Sequence, residues 1–240
     1  LLVTAGAAIG ASSNHLETAV GTLSAKTTTG SIFLTESDDL TLDTISLSVS
    51  RVAANGATAT AGTATQQDVD SGANLVLVTL NGSITTTLAT GEITAAQDIL
   101  LSAGETAEGT TADVVLNAAL SSAGGNITVL SKDAVSLAHA TADLTTAGGT
   151  VDVQADLGVA MVDSAVITSG SGANWGHVRV QALGGDVTVG EINAGTANAA
   201  LLASGSVLDL AVDTSAVDVT AAKLLVTAGA AIGASSNHLE

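Results

Sequence analysis

The 240-residue chain has no cysteine and no proline, and its only aromatic residues are Phe33 and Trp175. Without cysteine there are no disulfides, zinc-thiolate sites or thiol nucleophiles. Without proline every peptide amide can donate a hydrogen bond to a β-ladder. Globular cores usually contain several aromatic rings, because each ring buries about 150–250 Å². A thin core of small and β-branched side chains, repeated along an axis, needs no rings, and the composition therefore favours a solenoid.

Basic residues are also scarce, with 5 Lys and Arg against 23 Asp and Glu, a net charge of −18 and a pI near 4.1. Nucleic acid is excluded as an expected partner, because phosphate binding requires a basic surface. Apolar residues occur only in short runs, and none approaches the roughly 18 residues of a membrane span. We therefore expect no membrane span in this segment.

A long repeat is visible at the two ends of the sequence. Residues 1–17 and 224–240 both read LLVTAGAAIGASSNHLE, at an offset of 223 residues. Core packing would constrain only the inward positions, so identity at every position indicates duplication. We predict that residues 1–223 form one long solenoid repeat and that residues 224–240 begin the next identical repeat, in one continuous solenoid without separate domains. The expected partners are adjacent repeats of the same chain, stacked end to end.

A finer period runs through the repeat as short apolar strands separated by polar corners, with apolar residues alternating inside each strand. The leading apolar residues recur about every 25 residues, at Leu75, Ile99, Ile127, Val151, Val178, Leu201 and Leu224. This spacing predicts an all-β parallel β-helix (β-solenoid) of about nine turns per 223 residues. Gly, Thr and Val interrupt the Ala-rich stretches before three helical turns can form, so no long helix is expected.

Residues 14–42 carry a recognisable motif made of Asn14, Glu17, Thr18, Val20, Leu23, Gly30, Ile32 and Leu34. It resembles the repeats of giant filamentous-haemagglutinin-like surface proteins of bacteria, as do the Gly-Gly-polar-Val/Ile-x-Val elements at 124–129, 148–153 and 184–189. The resemblance implies a right-handed parallel β-helix that is secreted to the cell surface. It also implies a role in adhesion, cell contact or matrix formation, with lateral self-association or host and matrix glycans as further partners.

Catalytic and metal-binding constellations are sparse. The histidines His15, His139, His177 and His238 show no metal-ligand spacing, and we expect no metal and no cofactor. Asp68 and Asp70 are the sharpest acidic cluster. Two acids in a groove would suit a polysaccharide-active β-helix enzyme, a lyase or a hydrolase. We favour the simpler interpretation, a solvated acidic corner that keeps the surface soluble, and we expect no enzyme.

Trp175, His177 and Arg179 are the only aromatic, imidazole and guanidinium groups that coincide in sequence. Trp175 could stack on a sugar while Arg179 holds a carboxylate, so these three residues are the candidate glycan contact. The alternative is a corner tryptophan and an arginine that answers nearby acids. Thr85 and Thr87 raise an ice-binding solenoid as a less favoured reading. The expected function is an extracellular structural fibre or adhesin segment.

Overall fold

The computed structural model describes residues 1–106, 109, 111–210, 217–235 and 237–240. Among these residues there is no helix, and the strands stack in parallel as a three-sided solenoid. In each turn the chain passes a long face, a middle face and a closing face. The prediction of an all-β parallel solenoid of about nine turns is confirmed, whereas its right-handed sense stays a prediction.

The strands of each face are given in stacking order. The long face consists of β2 (Leu16–Thr18), β4 (Ile32–Glu36), β9 (Leu75–Thr79), β12 (Ile99–Ala103), β15 (Ile127–Ser131), β18 (Val151–Ala155), β23 (Val178–Ala182), β26 (Asn198–Ala203) and β29 (Lys223–Ala228). The middle face consists of the first half of β3 (Thr22–Thr27), then β5 (Leu40–Leu42), β10 (Ile84–Thr86), β13 (Val114–Leu116), β16 (Val135–Leu137), β19 (Val159–Met161), β24 (Val187–Val189) and β27 (Val207–Asp209). The closing face consists of β1 (Leu2–Ala5), the second half of β3, then β8 (Val69–Ser71), β11 (Ile93–Ala95), β14 (Leu120–Ser122), β17 (Leu144–Thr146), β20 (Val166–Thr168), β25 (Glu191–Asn193) and β28 (Val219–Thr220).

The core is a set of columns in which each inward side chain packs on its equivalents one turn away. From β4 to β23, strands of the long face alternate buried and half-buried positions, because successive side chains of a strand point to opposite faces. Both aromatic rings lie outside this core. Phe33 is outward on β4 beside Val76 of β9, and Trp175 lies at a corner. Aliphatic columns fill most of the interior, and buried Ser, Thr and Glu side chains such as Thr79 and Glu36 occupy other inward positions.

The register of the strands shows that one of the predicted leading residues is wrong. Ala199, not Leu201, pairs with Val178 on one side and with Leu224 on the other. Leu201 lies two residues further along the same strand and also points inward, with no exposed surface. Because inward positions recur every second residue, an alanine at the first inward position shifted the apparent start of the strand by two.

Within the described ranges, two antiparallel hairpins of paired strands interrupt the corners, and neither was predicted. The larger joins β6 (Ile45–Val52) to β7 (Thr58–Gln66), with almost every side chain exposed. It lies between β5 and β8, so Ile32 and Leu75 are register neighbours although 43 residues separate them. The smaller joins β21 (Gly170–Ser171) to β22 (Asn174–Trp175). Corners can hold such insertions because the stacked strands pair only with the turns above and below.

Buried hydroxyl groups close the corner between the closing face and the long face. Three of these hydroxyls each donate a hydrogen bond to a glycine carbonyl. The pairs are Thr27 with Gly30 at 2.6 Å, Thr146 with Gly149 at 2.8 Å, and Ser169 with Gly176 at 2.6 Å. A buried carbonyl without a partner costs free energy, so these inward hydroxyls stabilise the turn. The described part of the chain contains no helix that is long and apolar enough to cross a membrane.

Leu101→Ala tests the column core. Leu101 has no exposed surface, and we expect the substitution to lower the free energy of unfolding by about 2–5 kcal/mol, because it removes buried methyl groups and leaves a cavity. Leu100→Ala is the matched control, since Leu100 is the outward neighbour on the same strand. Urea unfolding followed by circular dichroism measures both. Equal losses for the two variants would contradict the alternation.

Candidate functional site

The hairpin of β21 and β22 positions Trp175 at the corner between the closing face and the long face. Gly172, at the hairpin tip, has a φ of +61°, a left-handed conformation that glycine adopts readily. Its carbonyl accepts a hydrogen bond of 3.0 Å from the indole Nε1 of Trp175. The ring covers Gly195 of the next turn, where a Cβ would lie 2.2 Å from the ring atom Cε2. These two glycines therefore fix the orientation of the indole.

A shallow depression of about 540 Å³ extends from Trp175 across the corners of the preceding turns. The indole and Asn174 form one wall, and glycines of the two preceding turns contribute to the lining. The residues around it are Gln97, Asp98, Gly124, Gly125, Asn126, Ala147, Gly148, Gly149, Ala173, Asn174 and Trp175. An aromatic ring beside amide and carboxylate groups is the arrangement that can stack on a sugar and hydrogen-bond its hydroxyls.

His177 and Arg179 lie in a different depression, of about 380 Å³, on the long face. His177 Nδ1 accepts a hydrogen bond of 3.1 Å from the backbone N–H of Asn198. The imidazole therefore links two successive turns. The structure brings His177 and Arg179 together but leaves Trp175 outside their depression.

Arg179 is engaged by its neighbours on the long face. Its Nε and Nη2 donate to the two carboxylate oxygens of Asp152 at 2.7 and 2.8 Å, and Nη1 donates to Gln181 Oε1 at 2.8 Å. The hydrogen bonds that Arg179 donates to the Asp152 carboxylate raise the pKa of Arg179 above its ordinary value. This geometry favours the interpretation in which Arg179 pairs with a nearby acid. The bidentate pair with Asp152 occupies the guanidinium N–H groups that a ligand carboxylate would need.

Asp68 and Asp70 each have a local role. Asp68 has a φ of +65° just before β8, and its Oδ1 accepts the backbone N–H of Glu92 one turn later, at 3.2 Å. Asp70 points outward from β8, pairs with Lys26 Nζ at 2.6 Å and accepts a hydrogen bond of 2.6 Å from Thr94 Oγ1. These contacts favour two corner and surface acids over a catalytic pair.

The same corner interaction recurs around the solenoid. A side-chain oxygen just before a strand accepts the backbone N–H of the equivalent residue one turn later, as when Asp98 Oδ1 accepts from Asn126 at 2.8 Å and Asn126 Oδ1 from Thr150 at 2.9 Å. In the part of the chain that the structure describes, seven carboxylates make such bonds: Asp39, Asp68, Asp98, Asp113, Asp143, Asp186 and Asp218. Part of the acidic composition is therefore a structural device of the corners.

Asp43 shows how such contacts favour the charged form of a carboxylate. Its Oδ1 accepts hydrogen bonds of 2.6 Å from both Thr90 Oγ1 and the backbone N–H of Thr44. The Thr90 hydroxyl, followed by the Thr44 amide, lowers the pKa of Asp43 below its ordinary value. The ionised carboxylate is thus the state that this corner selects.

The remaining histidines lie apart from one another. His15 Nδ1 is 2.8 Å from Thr35 Oγ1, and its ring lies 5.6 Å from that of Phe33. His139 hydrogen-bonds Thr141 at 3.0 Å, and His238 is exposed near the other end of the solenoid. Across the described ranges, no three His, Cys, Asp or Glu residues converge on a point where a metal could bind.

One surface feature was not predicted from the sequence. A column of hydroxyls runs along the closing face, where Thr94, Ser121, Thr145 and Thr168 are outward register neighbours on successive turns. They line a depression of about 460 Å³ that reaches Gly170 and Ser171 of the small hairpin. Spacings of 27, 24 and 23 residues hide this column in the sequence.

The threonines singled out for ice binding lie on another side of the solenoid. Thr85 is outward on β10 of the middle face, between Thr41 and Val115, and Thr87 follows the strand. The valine interrupts the hydroxyl column at that position. An ice-binding plane therefore has no more support here than the strand propensity of threonine.

No protein family, curated protein or solved structure matches this chain at a significant level. The filamentous-haemagglutinin-like resemblance therefore stays a prediction from the motif at residues 14–42.

Asp98 tests whether the corner carboxylates act as hydrogen-bond acceptors. We expect Asp98→Ala to cost about 1–2 kcal/mol of unfolding free energy, because the amide of Asn126 loses its partner. Asp98→Asn keeps an acceptor oxygen at the same position and should stay within about 0.5 kcal/mol of the parent chain. Urea unfolding at neutral pH compares the two variants. A loss in Asp98→Asn as large as in Asp98→Ala would show that the negative charge itself is required.

Proposed function

We propose that this chain is a segment of an extracellular structural fibre built from tandem solenoid repeats. One observation carries the proposal: the second copy of the 17-residue segment continues the stack in register. Lys223 to Ala228 of β29 pair with Asn198 to Ala203 of β26 at six successive positions. The end of one repeat and the start of the next thus form one uninterrupted sheet. The extracellular location rests on the family resemblance.

The end of the stack that carries β29 is apolar and open. Leu224 and Ile232 occupy core registers, over Ala199 and Val207, but are 44% and 56% exposed. Ile9, which is the same residue as Ile232 in the first copy, is only 5% exposed. A further turn stacked on β29 would bury these apolar positions and pair the strand edges, as in other solenoids whose units are stable through their neighbours.

A chain of two repeats, residues 1–223 joined to residues 1–240, tests the fibre. We expect one rigid rod that is longer by about 40 Å than the single unit, because eight to nine turns add about 4.8 Å each, with an unchanged cross-section. Small-angle X-ray scattering measures both dimensions, and the single-unit chain is the control. Two bodies that move independently about a flexible junction would contradict the proposal.

A second role, adhesion to glycans, is favoured by the depression at Trp175. It combines a fixed indole with the polar side chains of Gln97, Asp98 and Asn126, and none of the residues that line it is basic. The net charge of −18 repels anions at a distance. We therefore propose neutral rather than acidic oligosaccharides as its ligands.

Trp175→Ala tests this second role. We expect the parent chain to bind a neutral hexose oligosaccharide, and the substitution to weaken binding by about two- to tenfold, because an aromatic contact is worth about 0.5–1.5 kcal/mol. Trp175→Phe, which keeps a ring, should retain part of the affinity. Arg179→Ala is the matched control from the neighbouring depression and should leave binding unchanged. Isothermal titration calorimetry measures all four chains, and equal binding by the parent chain and Trp175→Ala would refute the role.

A further inference from the structure

The projecting hairpin of β6 and β7 has two unlike faces. Leu47 and Val49 lie on one face, opposite the small residues Ala64 and Gly62. Their exposed fractions are 54% and 50%. The other face carries hydroxyl groups along most of its length, in the cross-strand pairs Ser46 with Thr65, Ser48 with Thr63 and Ser50 with Thr60. Leu47 and Val49 therefore form an apolar ridge that is exposed to solvent.

The hairpin also differs in charge from the rest of the chain. The sequence from Thr44 to Gln67 contains Arg51 and no acid, so all 23 acidic residues lie elsewhere. Arg51 is exposed on the same side of β6 as the ridge, two residues beyond Val49. Among the described residues, no carboxylate forms an ion pair with it. An apolar ridge beside such a cation is complementary to an apolar depression beside an acid.

The long face contains a depression of that kind. Phe33, Val76 and Leu100 are outward register neighbours on three successive turns. They line a depression of about 470 Å³, the Phe33 depression, which also reaches Thr128. Asp98 is exposed at its edge. The same chain therefore carries both an apolar ridge and an apolar depression.

The hairpin lies on the wrong side of the solenoid to reach this depression in its own chain. It leaves the stack between β5 and β8, at the corner between the middle and closing faces. Its base is held by a hydrogen bond of 2.6 Å that Thr4 Oγ1 donates to Gln66 Oε1. In a three-sided solenoid this corner lies opposite the long face, whose outward side chains point away from it. A second copy can bring its own long face against the hairpin.

The ridge and the depression also match in size. The Phe33 depression extends over three strand spacings, about 14 Å, from Phe33 to Thr128. Leu47 and Val49 are about 7 Å apart along their strand, so both side chains fit inside it. Arg51 follows about 7 Å further along the strand, where it can face the carboxylate at the edge of the depression.

We propose that the ridge of Leu47 and Val49 docks in the Phe33 depression of a second copy of this chain, with Arg51 beside Asp98 of that copy. The two surfaces in this contact are different, so a docked pair still presents one free hairpin and one free depression. Association is therefore lateral, head-to-tail and open-ended. It is independent of the tandem fibre, because a single chain carries both surfaces.

Sedimentation velocity of the single-unit chain tests this contact. We expect the sedimentation coefficient of the parent chain to rise with concentration up to about 0.5 mM, because small interfaces associate weakly. Leu47→Asp should weaken association at least about tenfold, because it places a carboxylate in an apolar contact. Ser48→Asp adds the same charge on the hydroxyl face and should associate like the parent chain. A parent coefficient that stays constant with concentration would overturn the proposal.

Leu100→Asp disrupts the other surface of the contact. Leu47→Asp and Leu100→Asp should each stay monomeric alone, whereas their equimolar mixture should form pairs that grow no further. Only the hairpin of one variant and the depression of the other are then intact. Association of Leu100→Asp as strong as that of the parent chain would indicate contact between hairpins. Association that persists in both variants would come from the open end of the stack, and either result would overturn the proposal. Circular dichroism shows that each variant folds.

Discussion

Every strand of the stack depends on one constraint: its backbone groups must pair with the turns directly above and below. Parallel pairing in register then places equivalent residues over one another, as in the series Ile99, Ile127 and Val151. Because side chains alternate across a strand, the inward positions form columns along the axis, and most of the side chains in them are aliphatic. A core of this shape has no central space to fill, which is why two aromatic rings suffice for 240 residues and neither of them lies inside.

Polar side chains satisfy the backbone at the corners of the solenoid. Each turn must bend at three corners while its backbone amides keep hydrogen-bond partners. At several corners an Asp, Asn, Ser or His side chain accepts a hydrogen bond from a backbone N–H of the next turn. Carboxylates suit this role because they accept strongly, and they also keep the outer surface charged. Part of the −18 charge and the regular stacking therefore share one cause, the choice of corner residue.

The sequence predicted the fold where each strand began with a large apolar residue, as at Leu75 and Ile99. It failed by two residues at Ala199, because alternation alone cannot tell one inward position from the next. The hairpin at residues 45–66 was not predicted, because its alternating Ser, Thr and Ala have the pattern of any other strand. Nothing in the local sequence marks its antiparallel pairing. Trp175, His177 and Arg179 looked like one site for a similar reason, since a corner separates sequence neighbours in space. The hydroxyl column was hidden because turns of unequal length disguise its register.

The exposed hairpin also decides where the solenoid can be cut. Lys26, Lys132 and Arg179 are ion-paired with acids on neighbouring turns, and Lys223 lies in β29 of the stack. Arg51, in contrast, is exposed on the projecting hairpin. A protease specific for basic residues would therefore find an exposed bond there, outside the stack. The strands on both sides of that bond remain paired turn on turn, so a nicked solenoid stays continuous.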